Sequence, residues 1–325
     1  MRQVGSGRRS FTYGEAVSGC GAAKDKNFTE IEIMSKAKFI IATDSTGEMP
    51  LEYYKEHNIE RVCLGFVMDN VNYEGEDGAP IDHDEFYKQL AAGGKPTTYQ
   101  VTAEQAKSHL RPYVEAGNDV LVSAFSSGLS GTYGSFCVAA KELSEEFPER
   151  KIMVIDSLCA SLGHGLFLHY LVEKAESGAS IEETYEYGMN LRLHICHNFT
   201  VNDLFQLKRG GRVSSTVAVI GSLLNIKPVM KMDDEGHLVP VGRGVMGRKK
   251  SINAIFNNMV AQQDLQPGDP VYIVQAVCRD DAEALKKMVL DKFPGREVFI
   301  GELSPVIGSH SGIGTLAIFF RGKAR

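Results

Sequence analysis

The stretch that most constrains the fold covers residues 119–138 and reads DVLVSAFSSGLSGTYGSFCV. An apolar run, residues 120–125, gives way to a Ser/Gly loop, after which helical spacing continues to Phe147. This is the pattern of a buried strand, a tight loop and the start of a helix. The loop offers hydroxyls and backbone N–H groups but no Lys or Arg, and a helix N-terminus favours anions. The stretch therefore predicts a site for a small anion with a single head group.

The first half of the chain repeats this order of strand, polar loop and helix. Residues 61–67 are predicted as one strand, one helix is predicted to follow Asp82 as its cap, and another begins at the T-x-x-Q capping box of Thr102 and Gln105. Such alternation calls for a parallel sheet covered by helices on both faces. The carboxyl ends of the strands then share one edge, where ligands bind. Four Ser/Thr-rich segments are expected to meet there, namely residues 43–46, residues 95–101, residues 126–132 and Ser157. For any single hydroxyl the plainer interpretation is a helix N-cap, so the prediction depends on their convergence.

The length of 325 residues is enough for two domains. We predict an α/β protein with an N-terminal, three-layer domain built on a parallel sheet, residues 34–180, which carries a small β insertion near 67–80. A C-terminal α/β domain with a mixed sheet is predicted for residues 181–325, with an ordinary element end at residues 194–197 and a helix at 201–209. Residues 1–33 are Gly/Ser-rich without a hydrophobic period. We expect them to be a disordered or non-native leader, with Met34 as the working start.

Composition excludes several classes of partner. A net charge of −6 and a pI near 5.9 argue against a nucleic acid or an anionic membrane. No apolar run approaches the ~20 residues that span a bilayer. The six cysteines are scattered, and the cluster of His194, Cys196 and His197 has no matching second ligand pair. We therefore expect no metal site, no disulfide framework and a cytoplasmic location.

A serine hydrolase is the alternative that the residues leave open. Ser130 as nucleophile, His310 as base and either Asp44 or Asp156 would make up a triad. Thr132, however, replaces the last glycine of a G-x-S-x-G elbow, which needs small residues at a strained turn. His310 lies between glycines and serines, which predicts an exposed loop on which the imidazole donates to an anion.

Basic residues are concentrated in the second half of an otherwise acidic protein. They occur at residues 208–212, at Arg243 and at residues 248–250. A solvated basic face is the default explanation. A docking surface for an acidic or phosphate-carrying partner is the sharper one, because arginine makes bidentate contacts with such groups.

Five motifs, in order, resemble those of the DegV family of fatty-acid-binding proteins. They are ATDST, Pro-Thr-Thr-x-Gln, SSGLSGTY, LKRGGRVS and IGSHSGIGTL, within residues 38–320. The resemblance implies a two-domain bacterial α/β protein that holds one long-chain fatty acid, with its acyl chain in a tunnel and its carboxylate at the domain junction. In relatives that serve a fatty acid kinase, a separate kinase subunit phosphorylates the bound acid. The resemblance thus implies a carrier in lipid transport or fatty acid metabolism, not an enzyme, and no cofactor.

The same resemblance assigns roles to individual residues. It implies that Thr98, Ser130 and His310 hold the carboxylate. Three arginines, Arg209, Arg212 and Arg243, resemble those that the family uses for kinase docking or phosphotransfer. The sequence departs from the family pattern at Tyr99 and Val101, where Ser and Pro are usual. The bulk of Tyr99 predicts a changed head-group geometry or a changed preference for the acyl chain.

A tunnel for an acyl chain needs an apolar lining. Residues 216–224, with Ile226, Val229 and Met230, are apolar enough to supply it. The alternative is that they form only the core of the second domain. Burial of the chain would contribute about 0.8 kcal/mol per CH₂.

Overall fold

The computed structural model describes residues 37–75, 78–202, 204–213 and 226–325. The strands are β1 (Ile40–Asp44), β2 (Glu60–Val62), β3 (Gly65–Met68), β4 (Val71–Glu74), β5 (Thr97–Tyr99), β6 (Val120–Ala124), β7 (Ile152–Asp156), β8 (Ile195–Thr200), β9 (Ile226–Lys227), β10 (Val229–Met232), β11 (Leu238–Pro240), β12 (Val245–Met246), β13 (Val271–Gln275), β14 (Val298–Glu302) and β15 (Leu316–Arg321). The helices are α1 (Leu51–Glu56), α2 (His83–Ala91), α3 (Ala103–Glu115), α4 (Thr132–Glu146), α5 (Leu162–Glu176), α6 (Ile181–Leu191), α7 (Phe205–Arg209), α8 (Arg248–Gln262), α9 (Arg279–Lys292) and α10 (Pro305–Ser311). The expected leader, residues 1–33, lies outside the described ranges.

The first sheet consists of four parallel strands in the order β2-β1-β6-β7. Ala42 of β1 lies beside Val122 of β6, and every residue of these two strands is buried. Burial on both sides means that helices cover both faces, as parallel strands require. Helices α3 and α4 pack against each other and the sheet, and α6 packs on β6 and β7. The predicted parallel α/β architecture is confirmed.

Side-chain caps set the start of several helices. The capping box predicted at Thr102 and Gln105 begins α3, with hydrogen bonds in both directions. Asp82 caps α2 through the backbone N–H of Glu85, as predicted. These caps satisfy N–H groups that have no partner inside the helix, so the helix boundaries follow from local sequence.

A three-stranded antiparallel sheet, β4-β3-β5, stands beside the first sheet. Residues 61–67, predicted as one strand, are split between β2 and β3. The two strands differ in pairing, because β2 is parallel to β1 whereas β3 is antiparallel to both of its neighbours. Residues 95–101, expected to be only a polar approach to a helix, contain β5. Its position brings Thr98 opposite Phe66 of β3.

The second sheet is mixed, in the order β11-β10-β8-β15-β13-β14. Only β13 and β14 pair in parallel, which confirms the predicted mixed sheet. Its central strand β8 was missed by the sequence analysis, which placed an element end at residues 194–197 and a helix at 201–209. All six residues of β8 are buried, although His, Asn and Thr make its sequence look polar. The observed helix there is the shorter α7.

Helix α5 joins the two sheets. It contacts α6 and the 3₁₀ turn Ser45–Gly47 on one side, and strands β8, β13 and β15 on the other. Eleven of its residues are buried, so it is apolar around most of its circumference, as expected of a helix enclosed by protein. Of the helices in the described ranges, none is long and apolar enough to cross a bilayer.

Candidate functional site

A cavity of about 340 Å³ is lined by residues from both halves of the chain. Its volume falls in the range of about 300–1,000 Å³ that is typical of small-molecule sites. Most of its wall is apolar, with Leu129 from the loop after β6, Met232 from β10 and Val274 from β13. Ile307 of α10 completes this part of the wall. The arrangement suits a ligand that is largely hydrocarbon.

Thr98 and His310 meet in the cavity wall. Oγ1 of Thr98 lies 2.8 Å from Nε2 of His310, a hydrogen-bond distance, across 212 positions of sequence. His310 was predicted on an exposed loop, and this is wrong, because it lies in helix α10. Ser304 caps that helix and Pro305 begins it, two local signals for a helix start. Glu48 fixes the same cap by accepting the N–H of Ser304 at 2.8 Å.

His310 is neutral at physiological pH. Burial, and to a smaller extent the positive charges of Arg212 and Arg209, lower its pKa to about 4. Nδ1 of His310 is buried and has no hydrogen-bond partner in the described part of the chain. A Cβ added at Gly210 would overlap this nitrogen. A neutral imidazole with one uncommitted nitrogen can donate or accept one further hydrogen bond, depending on its tautomer.

Ser130 occupies a rigid position in the loop between β6 and α4. Its Oγ lies 3.0 Å from Oγ1 of Thr132 and accepts the N–H of Thr132 at 3.2 Å. The loop is tied to the β10–β11 turn by Oγ of Ser126, which donates to the carbonyl of Gly236 at 2.8 Å. The N–H of Ser127 donates to Asp156 at 3.1 Å. Ser130 therefore faces the cavity from a loop that is fixed at both ends.

Of the four segments expected to converge, two contribute to the cavity. Residues 95–101 supply Thr98, and residues 126–132 supply Ser130. Thr43 and Thr46 instead contact the buried His164, at 3.4 and 3.1 Å. Ser157 accepts the N–H of Cys159 two residues on, the local role of a turn residue. The plainer interpretation, a helix N-cap, is wrong for these hydroxyls too, because Asp44 caps the 3₁₀ turn Ser45–Gly47 and Ser161 stands at the N-cap position of α5.

The three arginines separate by location. Arg209 and Arg243 are exposed, at the end of α7 and in the loop before β12. Arg212 is half-buried and lines the cavity. Its Nε donates to the carbonyl of Leu129 at 3.1 Å, and its Nη1 donates to the carbonyl of Gly210. The sequence analysis grouped Arg212 with the surface arginines, because a basic run does not reveal which member turns inward.

Tyr99 lines the cavity beside Thr98. Its hydroxyl donates to Oδ1 of Asn72 at 2.7 Å and lies 3.2 Å from the carbonyl of Glu74. A Cβ at Gly65 would overlap its ring, so Tyr99 requires a glycine on the neighbouring strand. The phenol of Tyr99, on β5, thus links this strand to β4 of the same small sheet.

His197 is a lining residue that the sequence analysis treated as an ordinary element end. Its Nε2 accepts the N–H of Ala160 at 3.1 Å, and Nδ1 donates to the carbonyl of Ile195 at 3.0 Å. Burial lowers its pKa to about 3. His197 and Phe199 both line the cavity, as alternate residues of a strand do. This alternation could have identified His197 as a lining residue, but only after residues 195–200 had been recognised as a strand.

The apolar lining expected from the second domain is only partly found. Residues 216–224 lie outside the described residues. Val229 and Met230 are buried in the core and do not line the cavity, and neither does Ile226. Met232, two residues further along at the end of β10, lines the cavity instead, and it lies on the same face of that strand as Met230.

The hydrolase triad is not assembled. Oδ2 of Asp44 accepts the N–H of Phe125 at 2.7 Å, and Oδ1 accepts the N–H and hydroxyl of Thr46. Asp156 binds backbone N–H groups in the loops after β6 and β7. Among the described residues, neither aspartate hydrogen-bonds His310. A base without an orienting carboxylate does not fit the triad mechanism.

Comparison with known proteins gives a consistent result. Residues 38–323 match the family described as "Uncharacterised protein, DegV family". A DegV domain-containing protein of Clostridium perfringens is 38% identical over 89% of this chain and 99% of its own length. One from Lactococcus lactis is 34% identical over 86% of this chain and 96% of its own.

Solved structures show the same fold. A DegV family protein from Thermus thermophilus, described as binding fatty acid, is 31% identical with a TM-score of 0.78. The match covers 87% of this chain and 99% of that one. DegV of Bacillus subtilis, described as a fatty acid binding protein, is 28% identical with a TM-score of 0.75, over 88% of this chain and 100% of its own. The chain belongs to the DegV family.

Proposed function

We propose that this protein binds one long-chain fatty acid, with the acyl chain in the cavity and the carboxylate against Thr98, Ser130 and His310. The observation that carries the proposal is the contrast within one cavity wall, which is apolar except for a few polar groups. Thr315 and Ser311, also in the wall, donate to backbone carbonyls of their own segment. His310, beside Thr98, retains hydrogen-bonding capacity, because its buried Nδ1 has no partner in the described part of the chain.

The acyl chain accounts for most of the affinity. At about 0.8 kcal/mol per buried CH₂, fourteen methylenes would contribute roughly 11 kcal/mol. Association itself costs about 4–15 kcal/mol in lost freedom of motion. Hydrogen bonds to a charged group add only about 1.5–3 kcal/mol each. The hydroxyls therefore orient the ligand, while the apolar wall holds it.

The known relatives support this assignment. The solved proteins from Thermus thermophilus and Bacillus subtilis are described as fatty-acid-binding. Their likeness to this chain extends over almost the whole of each protein. We accordingly assign the chain a role as a carrier in lipid transport or fatty acid metabolism, rather than as a catalyst.

Two exposed arginines are candidates for the docking of a kinase subunit. Arg209 and Arg243 are each exposed, on a protein of net charge −6. Arginine suits an acidic or phosphate-carrying partner. We assign these two residues to docking of a fatty acid kinase subunit that phosphorylates the bound acid, which places the carrier in the cytoplasm with that kinase.

Titration of the lipid-free protein with oleic acid tests the binding proposal. We expect saturation at one molecule per chain, detected by calorimetry or by displacement of a fluorescent fatty acid. Non-saturating or absent binding would refute it. Turnover of a long-chain ester that Ser130→Ala abolishes would support the hydrolase instead.

The docking proposal has a separate test. Arg209→Gln and Arg243→Gln are expected to leave fatty acid binding unchanged and to slow phosphorylation of the bound acid by the kinase. Unchanged phosphorylation in the double variant would remove the docking role without affecting the binding proposal.

A further inference from the structure

Arg212 is the one charged side chain at neutral pH among the described residues that line the cavity. The two histidines of the wall are neutral there, because burial lowers the pKa of His197 to about 3 and that of His310 to about 4. No aspartate or glutamate in the described ranges lines the cavity. The formal charge on the described lining is therefore positive, although the whole protein carries a net charge of −6.

This arginine has no acidic partner among the described residues. Two other partly buried arginines do, since Arg248 pairs with Asp281 at 2.8 Å and Arg111 pairs with Glu146 at 2.6 Å, whereas Arg192, like Arg212, donates to a backbone carbonyl. Burial lowers the pKa of Arg212, which shows that the site disfavours an unpaired cation. A buried charge without a counter-ion is costly. A ligand that brings a negative charge would remove that cost.

Two hydrogen bonds hold the guanidinium beside the polar groups of the wall. Nε of Arg212 donates to the carbonyl of Leu129, directly before Ser130 in the chain. Nη1 donates to the carbonyl of Gly210, the residue packed against His310. The charge is thus held next to two of the three proposed carboxylate ligands, Ser130 and His310. Such attachment limits the side-chain freedom that would be lost on binding.

We propose that Arg212 is the counter-ion of the bound ligand and makes the site selective for ionised long-chain acids over neutral lipids of the same length. This rests on the proposed fatty acid binding and assigns Arg212 to ligand selection instead of kinase docking. The apolar wall cannot make this distinction, because an acid and an alcohol present the same hydrocarbon chain. A desolvated positive charge can, because it gains only from the ionised head.

The test compares the affinities of oleic acid and oleyl alcohol for the wild type and for Arg212→Gln. We expect the wild type to prefer the acid. Loss of one member of a buried charge pair should weaken acid binding by roughly 30-fold or more, and alcohol binding by less than about threefold. Arg212→Lys, which keeps the charge, should retain most of the preference. Arg243→Gln, outside the cavity, should behave like the wild type.

A variant that binds both lipids with the wild-type preference would overturn the inference. A wild type that binds neither lipid would instead overturn the fatty acid proposal, so the two failures are distinguishable. If Arg212→Gln fails to fold, the titration of bound oleic acid can be measured on the wild type alone. Oleic acid labelled with ¹³C at its carboxyl should titrate at a lower pH when bound than in water, and a bound acid that is protonated at pH 7 would overturn the inference.

Discussion

At the scale of single residues, strand β5 separates two adjacent threonines. Thr98 lines the cavity and contacts His310, whereas Thr97 is exposed on the other face of the strand. Successive side chains of a strand point to opposite faces, so these two threonines share residue type and strand but differ in access to the cavity. The two positions therefore form a matched test of the head-group assignment.

Thr98→Val should weaken oleic acid binding by roughly 10- to 100-fold, because it removes a hydrogen bond to a charged group worth about 1.5–3 kcal/mol. Thr97→Val should change it by less than about twofold. Calorimetric titration of both variants checks this. Equal effects at the two positions would show that Thr98 acts only through the strand.

Buried neutral histidines predict a pH dependence of stability. The folded-state pKa of His197 is about 3, below the value of about 6.5 expected when unfolded. Unfolding then takes up a proton below pH 6.5, so the stabilisation present above that pH is lost as the pH falls towards 3. Between pH 6.5 and 5 the loss should be about 2 kcal/mol.

His197→Gln should reduce this pH dependence of the free energy of unfolding by about the same amount, measured by urea denaturation at several pH values. His237→Gln, which removes an exposed histidine on the β10–β11 turn, is the control. A wild-type free energy that stays flat between pH 6.5 and 5 would contradict the neutral, buried state of His197.

The residues of the site differ in how far sequence could predict them. Thr98, Ser130 and His310 stand within motifs, and the structure gathers them in one cavity wall. Arg212 belongs to a basic run whose inward member is decided by tertiary packing. His197 lies in the cavity wall because it belongs to β8, and the polar residues of β8 gave no sign that this strand is buried. Local sequence therefore reveals motif residues, but it does not reveal which arginine turns inward or which polar strand is buried.

At the scale of elements, α5 depends on close approach between backbones. Gly165 lies against the carbonyl of Gly47, and an added Cβ would overlap that oxygen. Gly134 of α4 is also a helical glycine, but nothing lies within 4 Å of where its Cβ would be. The same substitution at the two sites isolates the close contact from helix propensity.

Gly165→Ala should lower the free energy of unfolding by about 1–3 kcal/mol, the usual cost of overpacking. Gly134→Ala should raise it by up to about 1 kcal/mol, because alanine favours the helix. Chemical denaturation of both variants checks the pair. Stabilisation by both would mean that α5 can move away from the 3₁₀ turn.

The helices that begin at recognisable capping residues could be predicted from the sequence. Helix α3 begins at a complete capping box, and α2 begins at Asp82. Helix α10 had comparable signals in Ser304 and Pro305, but the glycines and serines around His310 favoured a loop. Strand β8 has little apolar character and is stabilised by its neighbours β10 and β15, which are distant in sequence. Such tertiary pairing has no local signature.

At the scale of the whole molecule, the cavity requires both halves of the chain. Thr98 and Ser130 come from the first half, whereas His310 and Arg212 come from the second. One continuous apolar core, to which α5 contributes, extends through both. The order of strand and helix predicted the α/β architecture, but the distances across the junction came only from the folded structure.

Native mass spectrometry of the purified protein, followed by identification of any molecule released on denaturation, tests the central claim most directly. We predict one bound molecule per chain, released as a long-chain fatty acid. A protein that is ligand-free as purified, and that stays so after incubation with oleic acid, would contradict the account.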